Sequence, residues 1–292
     1  MSATQPARPR VAFQGSHGAY SEQAALALWN GAVEPVAVSS FDEVFAEVEA
    51  GHYERGIVPI ENSLAGSIHR NYDLLLRHNL YIIAEHNLRV SHCLIAHPGV
   101  ALEDIREVYS HPQALAQCEE SLRSLGISQA IAASDTAGSV KLIKERGWRH
   151  AAAIAGEAAA DYYGMAILRR DLEDERANFT RFLALSREPA EAQGERAGAL
   201  ICKTSLAFAG KNEPGLLFRC LAAFALRNID LCKIESRPLR GVPWEYVFYL
   251  DFAGSITQAH CQRAIEQLHE MSSFVRVFGS YPRGNGAALT TE

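Results

Sequence analysis

Residues 11–21 read VAFQGSHGAYS, which is an apolar run, a polar turn bounded by glycines, and the start of an amphipathic segment. The short apolar run predicts a buried strand over Val11 to Phe13. After the turn, Ser21 to Trp29 has the pattern of a helix. A strand followed at once by a helix is a βα unit, which predicts a parallel sheet with helices on its faces.

The same unit recurs through residues 10–185. Short apolar runs predict strands, and apolar periods near 3.6 residues predict helices. The predicted strands are Val36 to Val38, Gly56 to Pro59, Val108 to Ser110, Ala130 to Ala133, Ala151 to Ile154 and Phe182 to Leu185; the predicted helices are Ser40 to Gly51, Ile68 to Asn79, Pro112 to Leu125, Thr136 to Arg146 and Glu157 to Tyr163. Tyr81 to Ala96 has an extended pattern long enough to cross between two lobes. We therefore expect two α/β lobes.

A change of composition predicts a domain boundary after residue 185. Residues 186–198 are rich in Glu, Ala, Gln, Gly and Arg without apolar periodicity, which is typical of a linker. Residues 199–283 then show the order βαββαβ, the ferredoxin-like layout of a sheet backed by helices on one face. Residues 1–9 are expected to form a disordered tail, and residues 284–292 a second tail.

Composition excludes several classes of function. The 292 residues are 48% hydrophobic and 21% charged, as in soluble globular proteins. The formal net charge of −6 argues against nucleic-acid and membrane partners. The first ten residues lack the apolar core of a secretion signal, so we expect a cytoplasmic protein. The six cysteines form no C-x-x-C pair and are expected to be reduced core thiols.

Polar segments follow or enter the predicted strands, where ligands bind in open α/β sheets and helix N-termini present free N–H groups. These segments are residues 15–21, 61–67, 110–113, 134–136 and 178–181. Their glycines, hydroxyls and amides suit an anion, so we expect a small carboxylate ligand. Taken singly, Ser21 and Ser67 are equally well explained as helix caps.

Charged residues near these segments have two interpretations each. Arg181 either binds a carboxylate ligand or pairs with a structural acid. Glu61 is either a buried acid with a raised pKa or a carboxylate that caps the next turn. His86, His92 and His97 are spaced six and five residues apart, which matches no metal-binding pattern. Because nucleotide-binding glycine motifs are also absent, we expect neither a metal nor a cofactor.

Five motifs, in this order, resemble the prephenate dehydratase family. They are residues 15–21, PIENS at 59–63, SHPQ at 110–113, TRF at 180–182 and ESRP at 235–238. The resemblance covers nearly the whole chain. It implies a bilobal catalytic domain like a periplasmic binding protein over residues 10–185, and an ACT regulatory domain over residues 199–283. It also implies conversion of prephenate to phenylpyruvate with loss of carbon dioxide and water, within a homodimer or homotetramer.

The resemblance assigns roles to particular residues. Thr180 is the essential threonine, which we expect to donate a hydrogen bond to the departing hydroxyl, with Glu61 as an acid or orienting group. The implied substrate contacts are Ser21, Asn62, Ser63, Arg181 and Phe182. The implied binding site for the effector L-phenylalanine comprises Pro214, Gly215, Leu216 and Leu217 with Glu235, Ser236, Arg237 and Pro238.

Two alternatives stay open. Many bacterial family members have Thr-Phe-Ser where this chain has Ala19-Tyr20-Ser21, which is similar to the plant arogenate dehydratases. Arogenate, which would give L-phenylalanine directly, is therefore the alternative substrate. The alternative from another class is a non-catalytic sensor that binds an amino acid. The Thr-Arg-Phe motif favours the enzyme.

Overall fold

The computed structural model describes residues 8–190, 202–239, 241–242 and 244–284. The chain forms two compact units. The first unit contains the described residues of Met1–Asn71 and His86–Phe182, and the second contains those of Tyr72–Glu85 and Leu183–Glu292. Most of the expected N-terminal tail (1–7), most of the linker (191–198) and most of the C-terminal tail (285–292) lie outside the described residues. The domain limits 10–185 and 199–283 stay a prediction.

The predicted strands and most of the predicted helices occur in the predicted order, with two further short strands, Gly66–Ser67 and Ala166–Arg169, that the sequence did not predict. The chain forms β1 (Arg10–Gln14), α1 (Tyr20–Leu28), β2 (Glu34–Val38), α2 (Phe41–Ala50), β3 (Arg55–Asn62), β4 (Gly66–Ser67), α3 (His69–Arg77), β5 (Tyr81–Arg89), β6 (Cys93–Ala96), β7 (Glu107–Ser110), α4 (Pro112–Ala116), α5 (Glu119–Ser124), β8 (Gln129–Ala132), α6 (Thr136–Arg146), β9 (Ala151–Ala155), α7 (Glu157–Tyr163), β10 (Ala166–Arg169), β11 (Phe179–Ser186), β12 (Cys202–Ala209), α8 (Leu216–Ala225), β13 (Leu231–Pro238), β14 (Tyr246–Ala253), α9 (Ala259–Met271) and β15 (Phe274–Pro282).

Two sheets give the α/β part its two lobes. The first has the order β2-β1-β3-β11-β5, with β4 paired to β3; the second has the order β10-β6-β9-β7-β8. In the first, β1 pairs in parallel with both β2 and β3, as βα units require. The extended stretch that begins at Tyr81 passes from β5 in one sheet to β6 in the other. The predicted two-lobed α/β class is confirmed.

One predicted helix is wrong, because Pro112 to Leu125 is broken into α4 and α5. The side chain of Asp174 accepts hydrogen bonds from the backbone N–H groups of Glu120 and Ser121 at 3.0 and 2.9 Å. It therefore caps the N-terminus of α5 from a distant loop. In addition, the backbone N–H of Asp174 donates to the carbonyl of Gln117 at 2.8 Å, at the break itself.

The second unit contains a four-stranded antiparallel sheet in the order β13-β14-β12-β15. Its strands and helices follow the predicted βαββαβ order, so the ferredoxin-like layout is confirmed. A buried core joins the sheet to α8 and α9 through side chains such as Phe208, Phe224, Phe252 and Leu268. Apolar burial of this kind is the main stabilising term.

The segment Tyr72–Glu85 packs in this second unit. Arg276 donates to the carbonyls of Leu76 and Leu80 at 2.9 and 3.3 Å, which supplies partners at the C-terminal end of α3. Lys203 and Glu85 form an ion pair at 2.8 Å, with side chains only 9% and 1% exposed. Replacing either partner by a neutral residue would leave the other charge buried without a counter-ion.

Within the described ranges, no helix is long and apolar enough to cross a membrane. All six cysteines carry free thiols, and four of them are buried.

Candidate active site and effector pocket

Asn62 lies at the centre of a buried polar network in the first unit. It ends β3 and is 4% exposed. Its Nδ2 lies 2.7 Å from Oδ1 of Asn178, 3.1 Å from the carbonyl of Phe179 and 3.0 Å from Oγ1 of Thr180, three acceptors that share its two hydrogens. The structure thus brings together two of the predicted site residues, Asn62 and Thr180, which are 118 positions apart.

The other end of the Asn62 amide is equally constrained. Its Oδ1 accepts hydrogen bonds from the backbone N–H groups of Leu64 and Ala65 at 3.1 and 2.9 Å, and from Nε2 of Gln117 at 3.4 Å. A side-chain oxygen that accepts from the following turn forms an Asx turn, which holds the side chain to its own backbone. The NH₂ group of Asn62 must therefore point toward Thr180.

Thr180 accepts a hydrogen bond in this arrangement. Because Nδ2 of Asn62 donates to Oγ1, the single hydroxyl hydrogen of Thr180 remains to be donated elsewhere. The residue is 8% exposed. A fixed hydroxyl that presents its hydrogen can stabilise negative charge on an oxygen that leaves a bound ligand.

The network extends from Gln117 to α1. Oε1 of Gln117 accepts from Nδ2 of Asn178 at 3.1 Å and lies 3.1 Å from Nε2 of His92. Nδ1 of His92 lies 2.9 Å from the hydroxyl of Tyr20. Burial lowers the pKa of His92 and raises the pKa of Tyr20 well above its ordinary value. Both side chains are therefore neutral near pH 7.

Ser63 fixes the backbone that leads to Thr180. Its hydroxyl donates to the carbonyl of Ala177 at 2.8 Å and accepts from the backbone N–H of Phe179 at 2.9 Å. The backbone N–H of Ser63 donates to the carbonyl of Phe179 at 2.8 Å. These bonds tie the end of β3 to the start of β11, so the geometry supports a structural role for Ser63.

The remaining predicted catalytic and substrate-contact residues occupy different environments. Phe182 is 2% exposed and lies in the core with Phe13 and Ile57. Its direct contribution is to anchor β11. Ser21 is buried in the first turn of α1, whereas Glu61 on β3 and Arg181 on β11 are half-buried.

Other polar segments at the strand ends have structural roles. The hydroxyl of Ser110 donates to the carbonyl of Ile154 at 2.6 Å. Asp135 accepts from the backbone N–H of Gly138 at 2.6 Å and caps α6. Within the described part of the chain, no three His, Cys, Asp or Glu side chains gather as ligands for a metal ion.

Four members of the network, Gln117, Asn178, His92 and Tyr20, are not among the predicted site residues. Asn178 and Tyr20 lie in the polar segments at the strand ends, so their position in the sequence is a signal for the site. Gln117 follows α4, and its sequence neighbours do not distinguish it from a solvent-exposed helical glutamine. His92 was considered only as a metal ligand.

A second candidate site is a cavity of about 250 Å³ in the ferredoxin-like sheet unit. The lining includes three predicted effector residues, Gly215, Leu216 and Leu217. The whole lining consists of Gly210, Asn212, Glu213, Gly215, Leu216, Leu217, Phe218, Tyr246 and Phe248. Pro214 lies between lining residues in the chain, and its carbonyl accepts from Arg219 at 3.3 Å.

The second predicted effector motif lies on β13, beside the pocket rather than in its lining. In the register of β13 with β14, Ser236 is opposite Phe248 and Pro238 is opposite Tyr246, and both of these aromatic residues line the pocket. Arg237 forms an ion pair with Asp73 at 3.4 Å, and Glu235 forms one with Lys233 at 3.8 Å.

A family model and a similar plant protein indicate the same family. A family model described as Prephenate dehydratase matches residues 11–190. The Arabidopsis thaliana protein named Arogenate dehydratase/prephenate dehydratase 2, chloroplastic, is 49% identical over 290 residues, which cover 96% of this chain and 74% of that protein.

Solved structures are similar over nearly the whole length. The prephenate dehydratase of Arthrobacter aurescens in complex with L-Phe superposes with a TM-score of 0.84 and 30% identity, covering 94% of this chain and 90% of that one. GqqA, described as a novel type of quorum quenching acylase, has a TM-score of 0.86 and 34% identity, covering 94% and 98% of the two chains.

Proposed function

The chain belongs to the prephenate dehydratase family, and on this premise we propose that it converts prephenate to phenylpyruvate in L-phenylalanine biosynthesis. The observation that carries the proposal is the hydrogen bond from Asn62 to Thr180, which leaves the hydroxyl hydrogen of Thr180 to be donated. The motif threonine is thereby held by a buried amide and prepared to act as a donor.

The reaction suits such a donor. The bond between the ring and its carboxylate breaks, carbon dioxide leaves, and the electron pair enters the ring as the carbon–oxygen bond to the hydroxyl breaks. One proton is taken up, so the hydroxyl departs as water and the ring becomes aromatic. Thr180 stabilises charge on the departing oxygen, and the amide network keeps Thr180 in place. Arg181 is the candidate partner for a substrate carboxylate.

Incubation of the purified chain with prephenate tests this function. We expect phenylpyruvate, detected by its absorbance in alkali, to form at a rate proportional to the amount of protein. An acid-free incubation without protein measures the spontaneous reaction. Product formation no faster than this background would favour the non-catalytic sensor.

Arogenate is the second candidate substrate, because the relatives include proteins named arogenate dehydratases and this chain has Ala19-Tyr20-Ser21. The ratio of kcat/KM on prephenate to kcat/KM on arogenate distinguishes the two substrates. Parallel assays on the two purified substrates, with phenylpyruvate and L-phenylalanine measured as the respective products, give the ratio. A higher kcat/KM on arogenate would reverse the assignment.

L-phenylalanine is the proposed effector, and the ferredoxin-like part is the proposed ACT domain. Two observations support this: the similar Arthrobacter aurescens structure contains L-Phe, and the cavity between the start of α8 and β14 coincides with the first effector motif. Binding regulates the enzyme if the effector favours one of two conformations.

Replacing Gly215 by alanine is expected to weaken L-phenylalanine binding about 10-fold. Gly215 lines the cavity and has φ +82°, a left-handed conformation that costs roughly 1–2 kcal/mol for other residues, so we expect alanine to shift the backbone at the cavity wall and to displace the groups that contact the ligand. Isothermal titration measures the affinity. Gly164→Ala is the matched control, because Gly164 has φ +64° and open space around it but lies after α7. Equal affinities in Gly215→Ala and wild type would contradict the effector assignment.

Two further expectations concern assembly and location. We propose a homodimer or homotetramer, supported by exposed apolar side chains on the second unit such as Phe218 and Leu226, 77% and 78% exposed. Cytoplasmic location stays a prediction, since the Arabidopsis relative is named chloroplastic.

A further inference from the structure

We propose that His92 is a positioning residue for this reaction, which orients Gln117 and thereby the amide of Asn62 that holds Thr180. This inference rests on the proposed function and adds a residue to it. His92 does not touch Thr180, so its effect must pass through the two amides.

The histidine ring is held at both nitrogens. His92 is 2% exposed, with Nε2 3.1 Å from Oε1 of Gln117 and Nδ1 2.9 Å from the hydroxyl of Tyr20. The backbone N–H of His92 donates to Oε2 of Glu173 at 2.7 Å, which fixes the main chain as well. A ring held at both nitrogens on a fixed main chain gives Gln117 one defined hydrogen-bond partner.

The neighbouring amides determine which nitrogen of His92 carries the hydrogen. Oε1 of Gln117 accepts from Asn178, and Nε2 of Gln117 faces Oδ1 of Asn62. Since Oε1 of Gln117 is an acceptor, the facing Nε2 of His92 must be a donor. In the neutral ring Nδ1 is then an acceptor, and it faces the hydroxyl of Tyr20, whose one hydrogen is shared between Nδ1 and the carbonyl of Ser91. Gln117 thus selects the tautomer of His92.

A second proton on His92 would leave the Nε2–H bond to Gln117 in place and change the contact at Nδ1. Nδ1 would become a donor to the hydroxyl oxygen of Tyr20, and that hydroxyl would donate only to the carbonyl of Ser91, which lies 2.7 Å away. The ring would then carry a buried charge between the neutral side chains of Tyr20 and Gln117. Because burial lowers the pKa of His92, this change occurs on the acid side of the ordinary histidine value of about 6.5.

The groups that face His92 from the surrounding elements set this balance. They are Tyr20 on α1, Gln117 after α4, and Glu173 with its ion-pair partner Arg89 at 3.4 Å. Among these, the carboxylate of Glu173 and the bond to Gln117 favour the charged ring, but burial outweighs them.

The test compares His92→Leu with His92→Gln. The leucine variant removes the donor to Gln117, and we expect kcat on prephenate to fall about 10- to 100-fold with KM within about threefold, since the lost alignment matters most in the transition state. The glutamine side chain reaches the position of Nε2 with an N–H group. We expect it to restore kcat to within about fivefold of wild type.

The pH profile provides a readout that a purely structural role would not change. We expect kcat of wild type to fall below about pH 6.5, because the buried charge of the doubly protonated ring shifts the ring against Tyr20 and so misaligns Gln117, and we expect this limb to be absent from His92→Gln. Tyr20→Phe removes the hydroxyl that faces Nδ1 and should shift the limb without loss of the fold.

His97→Leu is the matched control, because His97 and His92 flank the same strand, β6. The Nε2 of His97 lies 3.0 Å from the carbonyl of Ile143, which is outside the network. Its kcat should stay within twofold of wild type. A folded His92→Leu variant with wild-type kcat, or a His92→Gln variant as impaired as His92→Leu, would overturn the proposal. Wild type that fails to convert prephenate would instead overturn the proposed function.

Discussion

Replacing Thr180 by alanine is expected to lower kcat on prephenate by about 10²- to 10³-fold, the usual effect of removing one donor to a developing oxygen anion. The substitution removes the hydroxyl hydrogen that Thr180 presents. The fold should be little affected, because Nδ2 of Asn62 keeps Asn178 and Phe179 as acceptors. A loss of about 1 kcal/mol of stability is expected for one hydrogen bond.

Two variants separate the hydroxyl from the shape of the side chain. Thr180→Ser keeps the hydroxyl and should retain kcat within about 10-fold of wild type, whereas Thr180→Val keeps the shape and should be as inactive as alanine. Phenylpyruvate formation gives kcat, and thermal unfolding followed by circular dichroism gives the stability. Near-normal turnover by folded Thr180→Val would show that Thr180 is not the donor.

Replacing Asn62 by aspartate is expected to reduce kcat by about 10²-fold or more and to lower the free energy of unfolding by roughly 2 to 4 kcal/mol. The two side chains have nearly the same shape. The aspartate presents an oxygen where Nδ2 of Asn62 now faces three acceptors, of Asn178, Phe179 and Thr180. Thr180 then turns its hydroxyl hydrogen toward residue 62 and loses it for the substrate.

Asn30→Asp is the control for added charge. Asn30 is exposed after α1, and its backbone N–H donates to the carbonyl of Ala27, which is not part of the Asn62 network. It should leave kcat unchanged and lower the free energy of unfolding by at most about 1 kcal/mol, because a negative charge at the C-terminal end of α1 opposes the helix dipole. Urea unfolding and phenylpyruvate assays measure both quantities. If Asn62→Asp were as active and as stable as Asn30→Asp, the amide of Asn62 would not be the group that orients Thr180.

Local patterns predicted most of the helices and strands. The serine at position 40 and the glycine at position 51 bound α2 as predicted: Ser40 accepts from the backbone N–H of Glu43, and Gly51 has φ +81°. The βαββαβ order of the second unit was equally readable. The break between α4 and α5 was not, since its cause is Asp174, a residue more than fifty positions away.

The candidate site was predictable only in part. Motifs identified Thr180, Asn62 and the pocket residues Gly215, Leu216 and Leu217, but motif membership did not reveal what each side chain contacts. Ser63 and Phe182 stand in the same motifs, yet one ties backbone segments together and the other fills the core. The motif Glu235 to Pro238 lies on the strand paired with the pocket strand β14.

By itself, the sequence determined the order of elements, the two-lobed α/β class with a ferredoxin-like part, and the family. These depend on apolar period, turn residues and short motifs, which act over a few positions. Only the tertiary structure decided that Tyr20, His92, Gln117, Asn62 and Thr180 form one hydrogen-bonded network, with partners 25 to 118 residues apart. The physical reason is that periodicity reports whether a side chain is buried, whereas its hydrogen-bond partner depends on how the sheets bring distant segments together.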